Sequence, residues 1–141
     1  MRRTLTTTTP PERVFAFLAD FRNAQTWDPG TVTCELVEGD TGVGSVYRNV
    51  SSFLGNKTEL TYTTVEREDG RRVHFRGRNA MFTGDDVITV GAAGAGAEVG
   101  YHATFRFHGL AMLGIPLVAA YLPVLAAKTM AQLKRSLDAL G

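Results

Sequence analysis

Apolar and polar residues alternate one for one from Val99 to His108, then give way to an almost wholly apolar run, a change of period that marks a strand feeding a helix. Val99, Tyr101, Ala103, Phe105 and Phe107 share one face of that strand, and His102, Thr104, Arg106 and His108 share the other. The aromatic face is the inward one. Beyond it Ala119, Leu122, Ala126, Met130, Leu133, Leu137 and Leu140 recur at steps of three and four, which predicts a terminal helix with one continuous apolar stripe against a sheet. At the other end, the Thr-rich segment Leu5 to Thr9 predicts a short strand. Thr9, Pro10 and Glu12 have the spacing of a capping box, and Val14, Phe17, Leu18 and Phe21 continue it as an amphipathic helix over Pro10 to Ala19. A second short turn or helix spans Asn23 to Trp27. It stops at Trp27-Asp-Pro-Gly30, because the residue before a proline is pushed out of the helical region.

From Gly30 to Gly109 the punctuation is that of antiparallel strands. Gly39 to Gly44, Gly55-Asn56, Glu68-Asp-Gly70, Gly77-Arg-Asn79 and Gly91 to Gly96 separate five or six strand-like runs. Strand parity puts Ser45, Tyr47, Asn49, Ser51 and Phe53 on the inner side of one run, Thr58, Leu60, Tyr62 and Thr64 on that of the next, and Val73 and Phe75 beside them. A chain of 141 residues suits one domain with its own core, taken as residues 1–141. The fold class is α+β: a curved antiparallel sheet of six to seven strands around a long C-terminal helix, with two short helices after the first strand.

Several stretches in this order resemble the START-like, helix-grip superfamily, whose bacterial members are commonly called polyketide cyclase/dehydrase or SRPBCC proteins. They are Val14-Phe-Ala-Phe-Leu-Ala-Asp-Phe21, Trp27-Asp-Pro-Gly30 opening the strand to Glu38, Gly44-Ser-Val-Tyr47, Asp86-Val-Ile-Thr-Val90, and the hairpin ending at Gly109 before the terminal helix. The resemblance spans essentially the whole chain. It implies a deep cavity between sheet and terminal helix that holds a hydrophobic, partly oxygenated molecule such as a polyketide, lipid or isoprenoid, and that in some members cyclises or dehydrates it without a cofactor.

The inner face supplies candidate chemistry. Tyr47, Asn49, Tyr62 and Tyr101 are hydrogen-bond donors suited to a developing enolate oxygen, and Asp28 is the candidate base at the cavity mouth, with Asp86 or water as alternatives for that role. Trp27, Phe53, Phe75, Phe105, Phe107 and, on the helix, Tyr121 are the candidate ligand contacts. An empty apolar void costs about 24 cal/mol per Å³, so a dry pocket of about 300 Å³ would cost about 7 kcal/mol, comparable to a domain's net stability. Hydroxyls on the wall relieve that cost by admitting water until a ligand arrives.

Charge narrows the alternatives. The net charge is +1 and 21% of residues are charged, so no bulk electrostatic signal points to nucleic acid. Arg48, Arg71, Arg72, Arg76, Arg78 and Arg106 fall on the outer face, where Glu59 and Glu66 are available as cross-strand partners. His74, His102 and His108 also fall outside, without metal-ligand spacing. The lone Cys34 excludes an internal disulfide, and the N-terminal residues lack a secretory core, so a reduced, cytoplasmic setting is expected. Leu110 to Ala127 carries no charge, at the lower edge of membrane-span length. Gly114, Pro116 and Pro123 within it favour a helix covered by sheet, ligand or a second subunit over a stable span. Homodimerisation or membrane contact through Val118, Tyr121 and Leu125 is the alternative reading, that of a non-catalytic interaction module.

Overall fold

In the computed structural model of the chain, residues 1–53 and 55–141 are described, Phe53 by its backbone alone. Seven strands form one antiparallel sheet: β1 (Arg2–Thr7), β2 (Thr31–Glu38), β3 (Val46–Phe53), β4 (Asn56–Glu68), β5 (Arg72–Arg78), β6 (Phe82–Ala93) and β7 (Gly96–Phe107). Their order across the sheet is β1-β7-β6-β5-β4-β3-β2, so each strand from β2 to β7 lies beside its neighbour in sequence and β1 adds to the β7 edge. Between β1 and β2 come α1 (Pro11–Ala19), a 3₁₀ turn (Phe21–Asn23) and α2 (Ala24–Trp27). After β7, a 3₁₀ turn (Gly109–Gly114) leads into α3 (Ile115–Asp138), which lies across the concave side. This is the helix-grip architecture.

The parity assignments hold along the central strands. Tyr47, Asn49, Leu60, Thr64, Val73, Phe75, Val99 and Ala103 are all buried. On the opposite face Arg48 pairs with Glu59, Arg72 with Glu66, and His74 and Arg76 with Asp85.

Three local expectations are corrected. The capping box does not form: α1 starts at Pro11, Pro10 precedes it with no side-chain cap, and the Thr9 hydroxyl donates instead to the Leu137 carbonyl at 2.6 Å. The Leu137 carbonyl also accepts from the Leu140 N–H at 3.1 Å, so the Thr9 hydroxyl is its second donor and ties the chain before α1 to the end of the terminal helix. Gly77 does not end a strand. It belongs to β5 and pairs with Gly84 of β6, and the turn falls after Arg78.

The apolar stripe of the terminal helix is not continuous against the sheet. Ala126, Leu133 and Leu137 are buried, whereas Ala119 is exposed and Leu122 partly so. The first turns of α3 stand away from the strands because they span the cavity. Leu110, Leu113 and Leu117 are 87%, 80% and 63% exposed. By length and composition alone, the 30-residue helical stretch Gly109–Asp138 could cross a membrane, and 6% of its most apolar window is buried.

Candidate functional site

The gap under α3 is a cavity of about 520 Å³. Its sheet side is built from β3, β4, β6 and β7, including Leu60, Tyr62, Asp86, Tyr101, Ala103, Phe105 and Phe107. Val118, Leu122, Leu125 and Thr129 of α3 form the opposite wall.

Strand pairing explains why space exists here. Tyr62 is in register with Gly77, Gly77 with Gly84, and Gly84 with Phe105, so one row across the sheet has two adjacent positions without side chains. The Tyr62 ring occupies the place of the missing side chain at Gly77, where a Cβ would lie 2.5 Å from Cζ. A glycine inside a strand marks such a close approach, and this signal was present in the sequence.

Two polar groups face the hollow. At the first, the Tyr101 hydroxyl donates to Asp86 Oδ1 at 2.9 Å. Asp86 is in register with Ala103, so it meets Tyr101 diagonally, two positions along β7 on the same face. Burial pushes the Asp86 carboxyl up to about 7. The hydrogen bond from Tyr101 opposes that rise, and the charges of Asp28 and Asp85 add to it. Burial, then the neighbouring Asp86 carboxylate, holds the hydroxyls of Tyr62 and Tyr101 well above the usual phenol range, so both remain donors. The sequence pattern marks Asp86 only as one of several bases; its place beside Tyr101 follows from strand register, which a single sequence does not display.

The second group surrounds Asp28. Its Oδ1 accepts from the Gly30 N–H at 3.1 Å and its Oδ2 from the Thr31 hydroxyl at 2.8 Å. Asn49 Nδ2 donates to Thr31 Oγ1 at 3.3 Å, and the Ser51 hydroxyl donates to Asn49 Oδ1 at 2.5 Å. Asp28 is half-buried at the cavity wall, and burial raises its pKa against the two lowering hydrogen bonds. Asn49 therefore stands behind Asp28 and Thr31 rather than on the wall itself.

The other expected site residues divide clearly. Tyr62, Tyr101, Phe105, Phe107 and Asp28 line the cavity. Tyr47, Phe75 and Trp27 do not, because the segment after α1 drops Phe21 among them. Phe21 lies 4.5 Å from Phe75, 5.9 Å from Tyr47 and 6.4 Å from Trp27, centroid to centroid, and the cluster fills that half of the sheet. Trp27 meets Tyr101 edge-on at 5.7 Å and so backs the wall instead of forming it. Tyr121 is also absent from the wall; the Lys128 ammonium lies 5.7 Å from its ring centroid. The expected contact by the Phe53 side chain lies outside the described residues. Cys34 is buried, and its thiol is pushed up to about 11 by that burial, which removes the thiolate at neutral pH. Among the described residues no group of three or more His, Cys, Asp or Glu side chains could hold a metal ion.

Residues 1–140 match the sequence family described as polyketide cyclase/dehydrase and lipid transport. The chain belongs to that family. No curated protein sequence matches it. Among solved structures it is similar to a protein of Thermus thermophilus, with TM-score 0.79 and 20% identity over 99% of this chain and 94% of that one. An aromatase/cyclase from a Streptomyces species superposes with TM-score 0.77 and 14% identity over 98% and 92% of the two chains. A START superfamily protein from Mycobacterium smegmatis gives TM-score 0.77 and 12% identity over 100% and 98%. At these identities the likeness is one of fold.

Proposed function

We propose that this family member binds a hydrophobic, partly oxygenated small molecule, of polyketide, lipid or isoprenoid type, between sheet and α3, as one ligand-cavity unit over residues 1–141. The observation that carries this reading is the combination of an apolar hollow of about 520 Å³ with a few convergent polar groups: Asp86, Tyr101, Tyr62 and Asp28. Carbon-lined walls with sparse, placed donors are the usual form of a small-molecule site. Cofactor-free cyclisation or dehydration is the catalytic extension of this role, and a cytoplasmic setting belongs to the same reading.

Titration with the neutral dye N-phenyl-1-naphthylamine tests it. Saturable binding at one site per chain is expected, weakened at least tenfold when the hollow is filled by Ala103→Phe or Leu122→Trp. Equal affinity in the native protein and both filled variants would place the dye elsewhere and overturn the assignment.

A second reading is favoured by the exposed run Leu110, Leu113 and Leu117 at the rim. These side chains would let the cavity mouth rest on a lipid surface, with basic Lys57 and Arg106 exposed on nearby strand ends. Flotation of the protein with anionic vesicles, lost in a Leu110→Ser/Leu113→Ser variant, is the outcome this reading requires; self-association by light scattering would replace it with dimerisation.

A further inference from the structure

Asp86 is 8% exposed, on an inner sheet face where its neighbours in the row, Phe75 and Ala103, are apolar. Its Oδ1 accepts from the Tyr101 hydroxyl, and its Oδ2 accepts no hydrogen bond among the described residues. Oδ2 is not among the polar atoms sealed from contact, so it opens on the cavity. A buried charge is ordinarily paired with an opposite one, yet among the described residues no cation of the chain pairs with Asp86. His74, Arg76 and Arg106 of the adjoining strands all turn to Asp85 on the other face. The Met1 ammonium is bonded to the Ala103 carbonyl at 2.8 Å. Among the described wall residues the other charged side chain is Asp28, a second carboxyl.

Strand register surrounds the free oxygen with rings. Tyr101 and Phe105 stand two positions to either side of Ala103 on β7, so both flank Asp86 diagonally on its own face. On β5 the diagonal position is Gly77, where the Tyr62 ring fills the place of the missing side chain. All three rings line the cavity. A carboxylate among aromatic rings attracts an ammonium in two ways, by a charge-assisted hydrogen bond and by the ring quadrupoles. An alcohol of the same shape gains only a hydrogen bond.

We propose that the cavity selects an apolar molecule carrying one protonated amine, whose ammonium donates to Asp86 Oδ2 between Tyr62, Tyr101 and Phe105, an inference that rests on the reading of the cavity as a ligand site. The bound ammonium is the counter-ion that the chain itself does not supply. Asp86 meets it as a carboxylate. Burial pushes that carboxyl up to about 7, so below neutrality the docking ammonium displaces the carboxyl proton to solvent. Affinity then rises with pH until the carboxyl of the free protein is already ionised. The titratable and charged groups around Asp86 are Tyr62 on β4, Tyr101 on β7, Asp28 on the loop after α2, Asp85 on the other face of β6, and the Met1 ammonium. From β5 Phe75 faces it, and α3 presents uncharged residues. Both tyrosines remain protonated because burial holds them well above the usual phenol range, which leaves Asp86 to set the midpoint.

The probes are 2-aminotetralin, a bicyclic ammonium ion near neutral pH, and 2-tetralol, its uncharged counterpart. Each displaces the naphthylamine dye from the full chain, from about pH 5.5 to about pH 8.5. At the upper end the amine should bind about tenfold or more tightly than the alcohol. Its affinity should fall by up to about tenfold per pH unit below the midpoint near 7, while that of the alcohol stays within about threefold. Asp86→Asn should bring the two affinities within about threefold of each other and level the amine's profile, with dye affinity retained. Equal affinities in the native protein, or a preference undiminished in Asp86→Asn, would overturn the ammonium site while leaving the cavity reading intact. An amine profile as flat as the alcohol's in the native chain would do the same, and it reads the site even where the variant fails to fold. Failure of the dye and both probes to enter would defeat the cavity reading itself, and this proposal with it.

Discussion

The ring of Tyr62 lies over Gly77 of the neighbouring strand, with its Cζ 2.5 Å from the point a Cβ would occupy. Glycine is required there by the close approach and not by backbone conformation. In this seat Tyr62 lines the cavity. Gly77→Ala is expected to force the ring out of this seat and to destabilise the fold by about 1–3 kcal/mol, the cost of overpacking, as read from urea unfolding. Dye affinity should change with it, whereas Gly91→Ala, where a Cβ meets nothing within 4 Å, should leave affinity alone.

The bond from Thr9 to the Leu137 carbonyl closes the end of α3 onto the start of α1. The Leu137 carbonyl keeps the Leu140 N–H as a donor at 3.1 Å, so Thr9→Val removes one of its two hydrogen bonds. A loss of about 0.5–1.5 kcal/mol is expected in equilibrium unfolding, and Thr9→Ser should recover most of it.

The two halves of α3 should respond differently to truncation. Leu133 is fully buried in the core cluster, and Leu133→Ala is expected to cost about 2–5 kcal/mol. Leu117→Ala, on the exposed half, should remain within about 0.5 kcal/mol of the native protein by the same measurement.

Asp86 ties stability to pH in a defined direction. Its carboxyl ionises near 7 in the folded chain and near 3.8 when exposed, so between those values the unfolded chain gives up its proton while the folded chain keeps it. Stability from this group is complete below about pH 4, falls as pH rises through the window, and is level above it. The slope is at most about 1.4 kcal/mol per pH unit. The stability difference between the native protein and Asp86→Asn, from urea unfolding at pH 4.5 to 8, should therefore shift in the variant's favour up to about pH 7 and then stay constant. A pH-independent difference would mean that Asp86 ionises normally.

Strand parity, helix spacing and glycine punctuation in the chain were enough to read the succession of elements, the inner faces and the terminal helix. Those properties are local: alternation puts every second side chain on one face whatever the strand packs against. Placement of Tyr62, Tyr101, Phe105 and Phe107 toward the interior followed from this alone. Whether an inward residue meets ligand or packed core did not. Tyr47 and Tyr62 are cross-strand partners with the same parity and Phe21 packs on both rings, at 5.9 and 4.5 Å between centroids, yet Tyr62 lines the cavity and Tyr47 does not. Likewise, Asp86 looked like one acid among several until register set it diagonally beside Tyr101. The sequence by itself determined which faces turn inward, because that depends on the backbone's period of two. Only the tertiary structure decided which inward groups share a hollow, since the short helices, the register and the standing-off of α3 are contacts between segments far apart in the chain.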